Sequence, residues 1–357
     1  MTQPFENPKR ILVIQIKLFG DVLTSSLLFE GLRQGYPEAQ LHYLVDESIT
    51  PLLAGNPFID EWVTVKHEDL HRPNKLMQLL IRLKKSNYDV VIDAYGKGLG
   101  MLLTLATNAP ARIGFARTGA RLAYHFPIQR GSWHQDNAGN AINERRQLLS
   151  PLEIDYKHLK PTIYLSPDEQ QHAQQQLQTL ERQSAQPTFM ISLLGSAQEK
   201  TYPHAYMAQL LDYIVEQTDA HLLVNYFPAQ QEEANHLLSL CQAHTQQRIA
   251  RHLYARSLRE FLALTKECDA LIGNEGGAVN MAKALDIPTF TIFSPFVAKS
   301  AWGAFVDGKK HAAVHLKDIH PEMYNQRHQP SDFSRFYNAF TPDTVIPALG
   351  DFLKRRS

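Results

Sequence analysis

The fold is decided by one stretch, Leu271-Ile-Gly-Asn-Glu-Gly-Gly-Ala-Val-Asn-Met-Ala-Lys-Ala-Leu-Asp286, continued by Ile287-Pro-Thr-Phe-Thr-Ile-Phe-Ser-Pro295. Its pattern is a short apolar strand, a Gly-Gly turn, a helix and a second apolar strand, which is typical of parallel strands joined by a helix. A glycine turn that opens a helix directs backbone N–H groups and the positive helix end at one point, which suits a phosphate. The stretch therefore predicts an anion-binding turn at the carboxyl edge of a parallel sheet.

On either side of this stretch, the chain shows the same alternation of strands and helices, in two successive series. The apolar strand-like segments are residues 10–16, 40–45, 61–65 and 88–94, and then 189–194, 221–225, the segment from 271, and 289–293. Such alternation is the mark of a doubly wound α/β sheet. We expect residues 1–170 and 171–340 to form two Rossmann-like domains, with the crossing at 155–185 and a C-terminal helix in 341–357 that packs back on the first domain. Two such domains that face each other across a cleft form the GT-B architecture.

Length and composition agree with two domains. The chain has 357 residues, of which 44% are hydrophobic, enough for two cores. Lys+Arg and Asp+Glu both total 36, so no global basic field exists and nucleic acid is not an expected partner.

Cysteine usage and terminal composition indicate the compartment. The two cysteines, Cys241 and Cys268, lie in no paired motif, which favours a reducing compartment. The first residues are polar and lack the apolar core of a signal peptide, and no apolar run reaches membrane-spanning length. We therefore expect a cytoplasmic protein, and peripheral contact with a membrane stays open.

Gly20-Asp21 follows the first strand and opens a helix, which leaves two interpretations of the aspartate. Asp21 is either a helix N-cap, a common role for this residue type, or a carboxylate that takes a proton from an attacking hydroxyl.

The loop Gly195-Ser-Ala-Gln-Glu-Lys200-Thr-Tyr-Pro203 follows the first strand of the second half. Its glycine, hydroxyl and lysine are the groups that grip a pyrophosphate, although a loop lysine is more often merely exposed. Gly96-Lys-Gly-Leu-Gly100 is similar to a dinucleotide loop, but its third glycine comes one residue early, so a nicotinamide enzyme is not favoured. Lys97 either meets an anionic acceptor or lies in a structural turn.

No metal site and no cofactor are expected. The chain contains no Asp-x-Asp, the motif that bridges a pyrophosphate through a metal in GT-A enzymes. His67-Glu-Asp-Leu-His71 matches a zinc-protease pattern, but Arg72-Pro73 follows at once and prevents the helix that would have to carry both histidines.

With these residues in view, the chain resembles glycosyltransferase family 9, the ADP-heptose:lipopolysaccharide heptosyltransferases. The resemblance spans about residues 10–350. The matching segments are Arg10-Ile-Leu-Val-Ile, Gly20-Asp21-Val, Tyr36-Pro-Glu-Ala, Tyr88-Asp-Val-Val-Ile-Asp, Arg112-Ile-Gly-Phe115, Ser196 with Lys200, Tyr202 and Pro203, Ser257-Leu-Arg-Glu260, and 271–295.

The resemblance implies an inverting, metal-independent transferase with Asp21 as general base. It places Ser196 and Lys200 on the pyrophosphate and sugar of the donor.

The family's Asp-[Ser/Thr]-Gly-x-x-His segment, which binds the nucleotide sugar, is altered here. Asn274 replaces Asp, Glu275 replaces Ser/Thr, one residue is inserted, and Asn280 falls where His is usual. Gly276 carries over, and the amides around Gly276 and Gly277 are expected to stabilise the departing diphosphate. The donor-binding residues are then Ser196, Lys200, Asn274, Glu275, Gly276, Gly277 and Asn280.

The implied reaction moves a heptose from ADP-heptose to a lipopolysaccharide inner-core acceptor at the inner face of the inner membrane. Lys17, Lys97 and Arg117 are candidates for the anionic groups of that acceptor. Two alternatives stay open. The altered donor segment favours a different nucleotide sugar for cell-surface glycan synthesis, or a GT-B protein that binds a nucleotide or glycolipid without turnover.

Overall fold

The computed structural model describes residues 5, 7–16, 18–131, 136–180, 186–324 and 332–356. The chain divides into two compact units, Met1–Tyr164 and Leu165–Ser357. The division lies inside the crossing expected at 155–185, a few residues before the expected boundary at 170.

Within the described residues, the first unit contains a six-stranded sheet in the order β3-β2-β1-β4-β5-β6, and all neighbouring strands are parallel. Its strands are β1 Arg10–Ile14, β2 Gln40–Asp46, β3 Glu61–Val65, β4 Val90–Asp93, β5 Ala111–Phe115 and β6 Phe126–Ile128. Its helices are α1 Phe19–Ser25, α2 Leu27–Gly35, α3 Pro73–Lys85, α4 Gly98–Thr107, α5 Ala120–Ala123 and α6 Asn140–Arg146. The strand order reverses between β1 and β4, where ligands of doubly wound sheets bind.

The second unit contains a five-stranded parallel sheet in the order β11-β10-β9-β7-β8 among the residues described. Its strands are β7 Thr188–Ser192, β8 His221–Asn225, β9 Ala270–Asn274, β10 Thr289–Ile292 and β11 His311–Val314. Its helices are α7 Pro167–Leu177, α8 His204–Thr218, α9 Gln231–Ser239, α10 Ala243–Arg248, α11 Leu258–Lys266, α12 Gly277–Ala284, α13 Lys299–Trp302, α14 Leu316–Ile319, α15 Phe333–Ala339 and α16 Pro342–Leu353. Here the order reverses between β7 and β9.

The central strands are buried because their sequences are almost continuously apolar. The side chains from Ile11 to Ile14 in β1 are fully buried, as are Ala270 and Leu271 in β9. Strands that are covered by helices on both faces need such runs, which is why the pattern predicts parallel sheets.

The C-terminal helix α16 belongs to the second unit, where it packs against α8 and β11. Val345, Leu349 and Phe352 join the core of that unit. The sequence predicts that this helix packs back on the first domain, and that stays a prediction. In the part of the chain described, no helix is long and apolar enough to cross a bilayer.

Candidate functional site

The turn between β9 and α12 forms the candidate anion site of the second unit. Gly276 precedes the helix with φ of +153°, a backbone conformation that favours glycine, and no side chain of the described residues caps the helix. Within that part of the chain, the first N–H groups of α12 therefore face the turn without a side-chain partner, as a phosphate site requires. Gly277 is exposed at the first helical position, and Asn280 lies half-buried one turn further on.

The Asn274 side chain forms hydrogen bonds within the protein that join two strand ends. Its side chain is buried, its amide nitrogen donates to the carbonyls of Ser192 and Leu193 at 3.2 and 2.8 Å, and its amide oxygen accepts from the Tyr202 N–H at 2.7 Å. The sequence predicts that Asn274 touches the donor, but these three bonds occupy both amide hydrogens and the oxygen. Asn274 instead ties the end of β9 to the loop that follows β7.

That loop is anchored through its backbone. The Ser294 hydroxyl and the Tyr337 hydroxyl donate to the Glu199 carbonyl at 2.7 and 3.0 Å. Ser196 is exposed and Lys200 is half-buried, and among the described residues neither side chain has a hydrogen bond or ion pair. The loop is held while both predicted pyrophosphate ligands stay available.

Glu275 is the unusual group of this site. Burial raises the pKa of its carboxyl above the ordinary value, and the charge of Lys200 acts in the opposite direction. Its Oε1 is buried and has no hydrogen-bond partner within the described ranges. A buried acceptor without a donor is costly, and such groups often lie at functional sites.

In the first unit, Asp21 lies in the first turn of α1, two residues inside the helix. The N-cap of α1 is Leu18, and no side chain among the residues described caps this helix, so the N-cap interpretation of Asp21 is wrong. Instead Arg145 Nη2 donates to Asp21 Oδ1 at 2.6 Å, with both side chains largely buried. Lys17, the first of the predicted acceptor ligands, lies outside the described residues.

Arg145 is a site residue that the sequence analysis missed. It lies on α6, it also bonds to Glu144 Oε2 at 3.4 Å, and Glu144 pairs with Arg130. Its Nε is buried without a hydrogen-bond partner among the residues described. The sequence pattern that could have identified Arg145 is the charged run Asn143-Glu-Arg-Arg146 in a helix with apolar neighbours. A helix of this kind must bury part of its charge.

Basic side chains collect around Gly96, beyond β4 and β5. Lys97 is exposed, with its Nζ 5.7 Å from the Tyr95 ring centroid, and Arg117 Nη1 donates to the Gly96 carbonyl at 3.1 Å. The Arg130 guanidinium stacks 3.9 Å from the Phe115 ring centroid. The structure thus brings the predicted Lys97 and Arg117 together, and Arg130, which the sequence did not single out, joins them.

Asp93, the last residue of β4, lies buried next to this basic group. It is fully buried, and it accepts from the Tyr124 hydroxyl at 2.5 Å and the Gly96 N–H at 2.8 Å. Burial raises the pKa of its carboxyl to about 6. A Cβ at Gly100 would lie 2.3 Å from Asp93 Oδ2, so this glycine is needed for packing, which supports the structural interpretation of the 96–100 loop.

Comparison with known proteins shows which family the sequence matches. A model of glycosyltransferase family 9 (heptosyltransferase) matches residues 76–326, so Asp21 lies before the matched segment. Lipopolysaccharide heptosyltransferase 1 of Campylobacter coli is 22% identical over 294 residues, which cover 80% of this chain and 83% of the relative. Lipopolysaccharide heptosyltransferase 1 of Pseudomonas aeruginosa is 23% identical over 302 residues, covering 80% and 79%.

Solved structures share the fold. A glycosyl transferase family 9 protein from Veillonella parvula superposes with a TM-score of 0.76 at 18% identity over 97% of both chains. An E. coli ADP-heptose lps heptosyltransferase II gives 0.69 at 17% identity over 97% of this chain and 99% of that one. Together with the two parallel sheets, this likeness confirms the predicted GT-B fold class.

Proposed function

The chain belongs to glycosyltransferase family 9, and we propose that it transfers a heptose from ADP-heptose to an inner-core lipopolysaccharide acceptor, with inversion. The family match over residues 76–326 carries the proposal. Relatives named lipopolysaccharide heptosyltransferase support the choice of sugar and acceptor, since several match about four fifths of the chain. The reaction would then take place at the cytoplasmic face of the inner membrane.

The proposed step is a single displacement. The Asp21 carboxylate takes the proton of an acceptor hydroxyl, the hydroxyl oxygen bonds to the anomeric carbon, and the bond from that carbon to the diphosphate oxygen breaks. ADP leaves with the bonding electron pair. Attack opposite to the leaving group inverts the anomeric centre. The chemistry requires a carboxylate in a fixed orientation, and the Arg145 contact at 2.6 Å supports that role for Asp21.

The leaving diphosphate needs positive charge as its bond breaks. We assign this task to Lys200, Ser196 and the N–H groups that follow Gly276, and in this proposal they act without a metal ion. Glu275 is assigned to a hydroxyl of the donor, because its half-buried side chain lies in the turn directly before α12. Asn280, which lies one turn into α12, is assigned to the same donor.

Lys97 and Arg117 are assigned to the acceptor, and Arg130 is added to them. Their guanidinium and ammonium groups lie at the carboxyl ends of β4 to β6, beside the strand that leads to Asp21. Such groups bind phosphate or carboxylate substituents of a glycolipid core.

Product formation tests the function directly. The purified chain is incubated with ADP-heptose and a heptose-free lipopolysaccharide core acceptor, and the product is measured by mass spectrometry. We expect one heptose to be added per acceptor and ADP to be released. If none of the donors is turned over, with matched UDP and GDP sugars included in the panel, a transferase of this class would be excluded.

A second candidate is the transfer of a different sugar. Glu275 favours it, because a carboxylate where the family has Ser or Thr changes which sugar hydroxyl is reached. Faster turnover with another nucleotide sugar in the same donor panel would establish this second candidate in place of the first.

A further inference from the structure

Three helices of the first unit lie side by side and present one surface. Helix α4 packs against both α3 and α5. We call the exposed side chains of these helices the α3–α5 face. The basic group around Gly96 and the Asp21 site lie beyond the strand ends and are not part of this face.

Helix α4 is apolar on its outer side as well as on the side that meets the core. Its two polar side chains, Thr104 and Thr107, are buried, whereas Leu102 and Leu105 are 41% and 43% exposed. Residues three apart share one side of a helix, so the two leucines form an outward apolar stripe. A helix of a soluble domain places these residue types the other way round.

The neighbouring helices extend this stripe. On α3, Met77 and Ile81 are 55% and 47% exposed and lie one turn apart, and on α5 Leu122 is 79% exposed. Single exposed apolar side chains are ordinary, but five on three adjoining helices form a surface of the kind that contacts a partner.

Positive charge accompanies the apolar side chains. Lys75, Lys84, Lys85 and Arg121 are exposed, and within the described residues none of them forms an ion pair. Helices α3, α4 and α5 contain no acidic residue. The net charge of the chain is zero, so this positive surface is a local segregation of charge.

We propose that the α3–α5 face docks on an anionic phospholipid bilayer. Apolar side chains enter the headgroup–acyl boundary while lysines and arginines bind lipid phosphates, a combination typical of interfacial helices. A second copy of the chain is a poorer partner, because pairing this face with itself would bring positive charges together.

Vesicle flotation with the full chain tests the proposal. The probes are vesicles of phosphatidylcholine alone and vesicles that also contain phosphatidylglycerol, both without glycolipid, so the result does not depend on the proposed reaction. We expect binding to the anionic vesicles that weakens as salt is added. The variants Leu102→Gln/Leu105→Gln and Lys84→Glu/Lys85→Glu should each lower the partition coefficient by at least about tenfold.

The matched control carries Leu240→Gln and Lys309→Glu, an exposed leucine and an exposed lysine of the second unit. It should bind like the parent chain, and thermal midpoints should show that all variants fold. Equal binding by parent and α3–α5 variants, or equal binding to neutral vesicles, would overturn the proposal. So would a concentration-dependent dimer, detected by sedimentation velocity, that the α3–α5 substitutions abolish.

Discussion

Asp21 and Arg145 are 124 positions apart in the chain, yet their side chains meet at 2.6 Å. The contact fixes the direction of the carboxylate, which a general base needs. The Asp21 carboxylate also lies in the first turn of α1, where the helix dipole favours negative charge. Elsewhere Asp60 binds Arg33 at the same distance, which supplies a matched comparison.

Asp21→Asn keeps the volume of the side chain and removes the proton acceptor. We expect kcat to fall by about 10²- to 10⁴-fold with little change in the donor KM, since general-base catalysis is lost while the donor groups stay intact. Steady-state kinetics measure both. Asp60→Asn, the control, should leave kcat near the parent value. Near-normal turnover of a folded Asp21→Asn protein would remove Asp21 from the mechanism.

Asp93 predicts a pH dependence of stability. Its folded-state pKa is raised from 3.8 to about 6, so the folded protein holds this proton more tightly than the unfolded chain. Its contribution to the free energy of unfolding is therefore lost as pH rises from about 4 to about 6, by about 3 kcal/mol in total. Urea unfolding of the parent and Asp93→Asn across this range measures it. The free energy of unfolding of the parent protein should fall relative to that of Asp93→Asn as pH rises over this range. A difference between the two proteins that does not change with pH would contradict the prediction.

At the scale of elements, the carboxyl ends of β7 and β9 carry the residues that the proposed function assigns to the donor. Asn274 links them through three hydrogen bonds, and Ser294 at the end of β10 holds the same loop. Gly273 makes this possible, because a Cβ there would lie 2.3 Å from the Ser192 carbonyl. The strand ends are therefore close enough for one residue to span them.

Asn274→Ala tests the link. It leaves the Tyr202 N–H and two carbonyls buried without their partner, so we expect the free energy of unfolding to fall by about 3 kcal/mol. The donor KM should rise because the loop that carries Lys200 loses its anchor. Chemical denaturation and donor titration give the two values. Asn235→Ala, at an exposed position on α9, should change neither; a stable Asn274→Ala protein with parental KM would refute the link.

At the scale of the whole molecule, the chain builds two α/β units, each with its own sheet and core. Each unit carries its candidate site where the strand order reverses, between β1 and β4 in one and between β7 and β9 in the other. In the proposed function, nucleotide binding belongs to the second unit and proton transfer to the first.

Nucleotide binding should therefore stabilise the protein independently of Asp21. At roughly 100 times its Kd, ADP adds about 2.7 kcal/mol by mass action, or about 5–10 °C in Tm for a unit of this size. Thermal-shift curves with ADP, UDP and GDP measure it. Asp21→Asn should keep the ADP shift and Lys200→Ala should lose most of it. An equal shift with UDP would count against adenine selectivity.

Much of the fold was predictable because its signals are local. Apolar runs, glycine turns and helix starts lie within a few residues of one another, so β3, the turn at Gly276 and the helix that begins at Pro167 follow from the sequence. Strand β11 does not, because His311-Ala-Ala-Val314 is only weakly apolar. It becomes a strand by pairing with β10, where His311 Nδ1 meets Thr289 Oγ1 at 3.1 Å.

The alternation of strands and helices, the two α/β units and the loops that carry the candidate residues could all be predicted from the amino-acid sequence. The contacts that those residues make depend on the packing of the folded chain. Arg145 donates a hydrogen bond to Asp21. Asn274 faces the interior and links β9 to the loop after β7. Glu275 has a buried oxygen without a hydrogen-bond partner among the described residues. The physical reason is that periodicity and turn chemistry act between near neighbours, whereas charge pairing and burial depend on which strand ends the sheet order brings together.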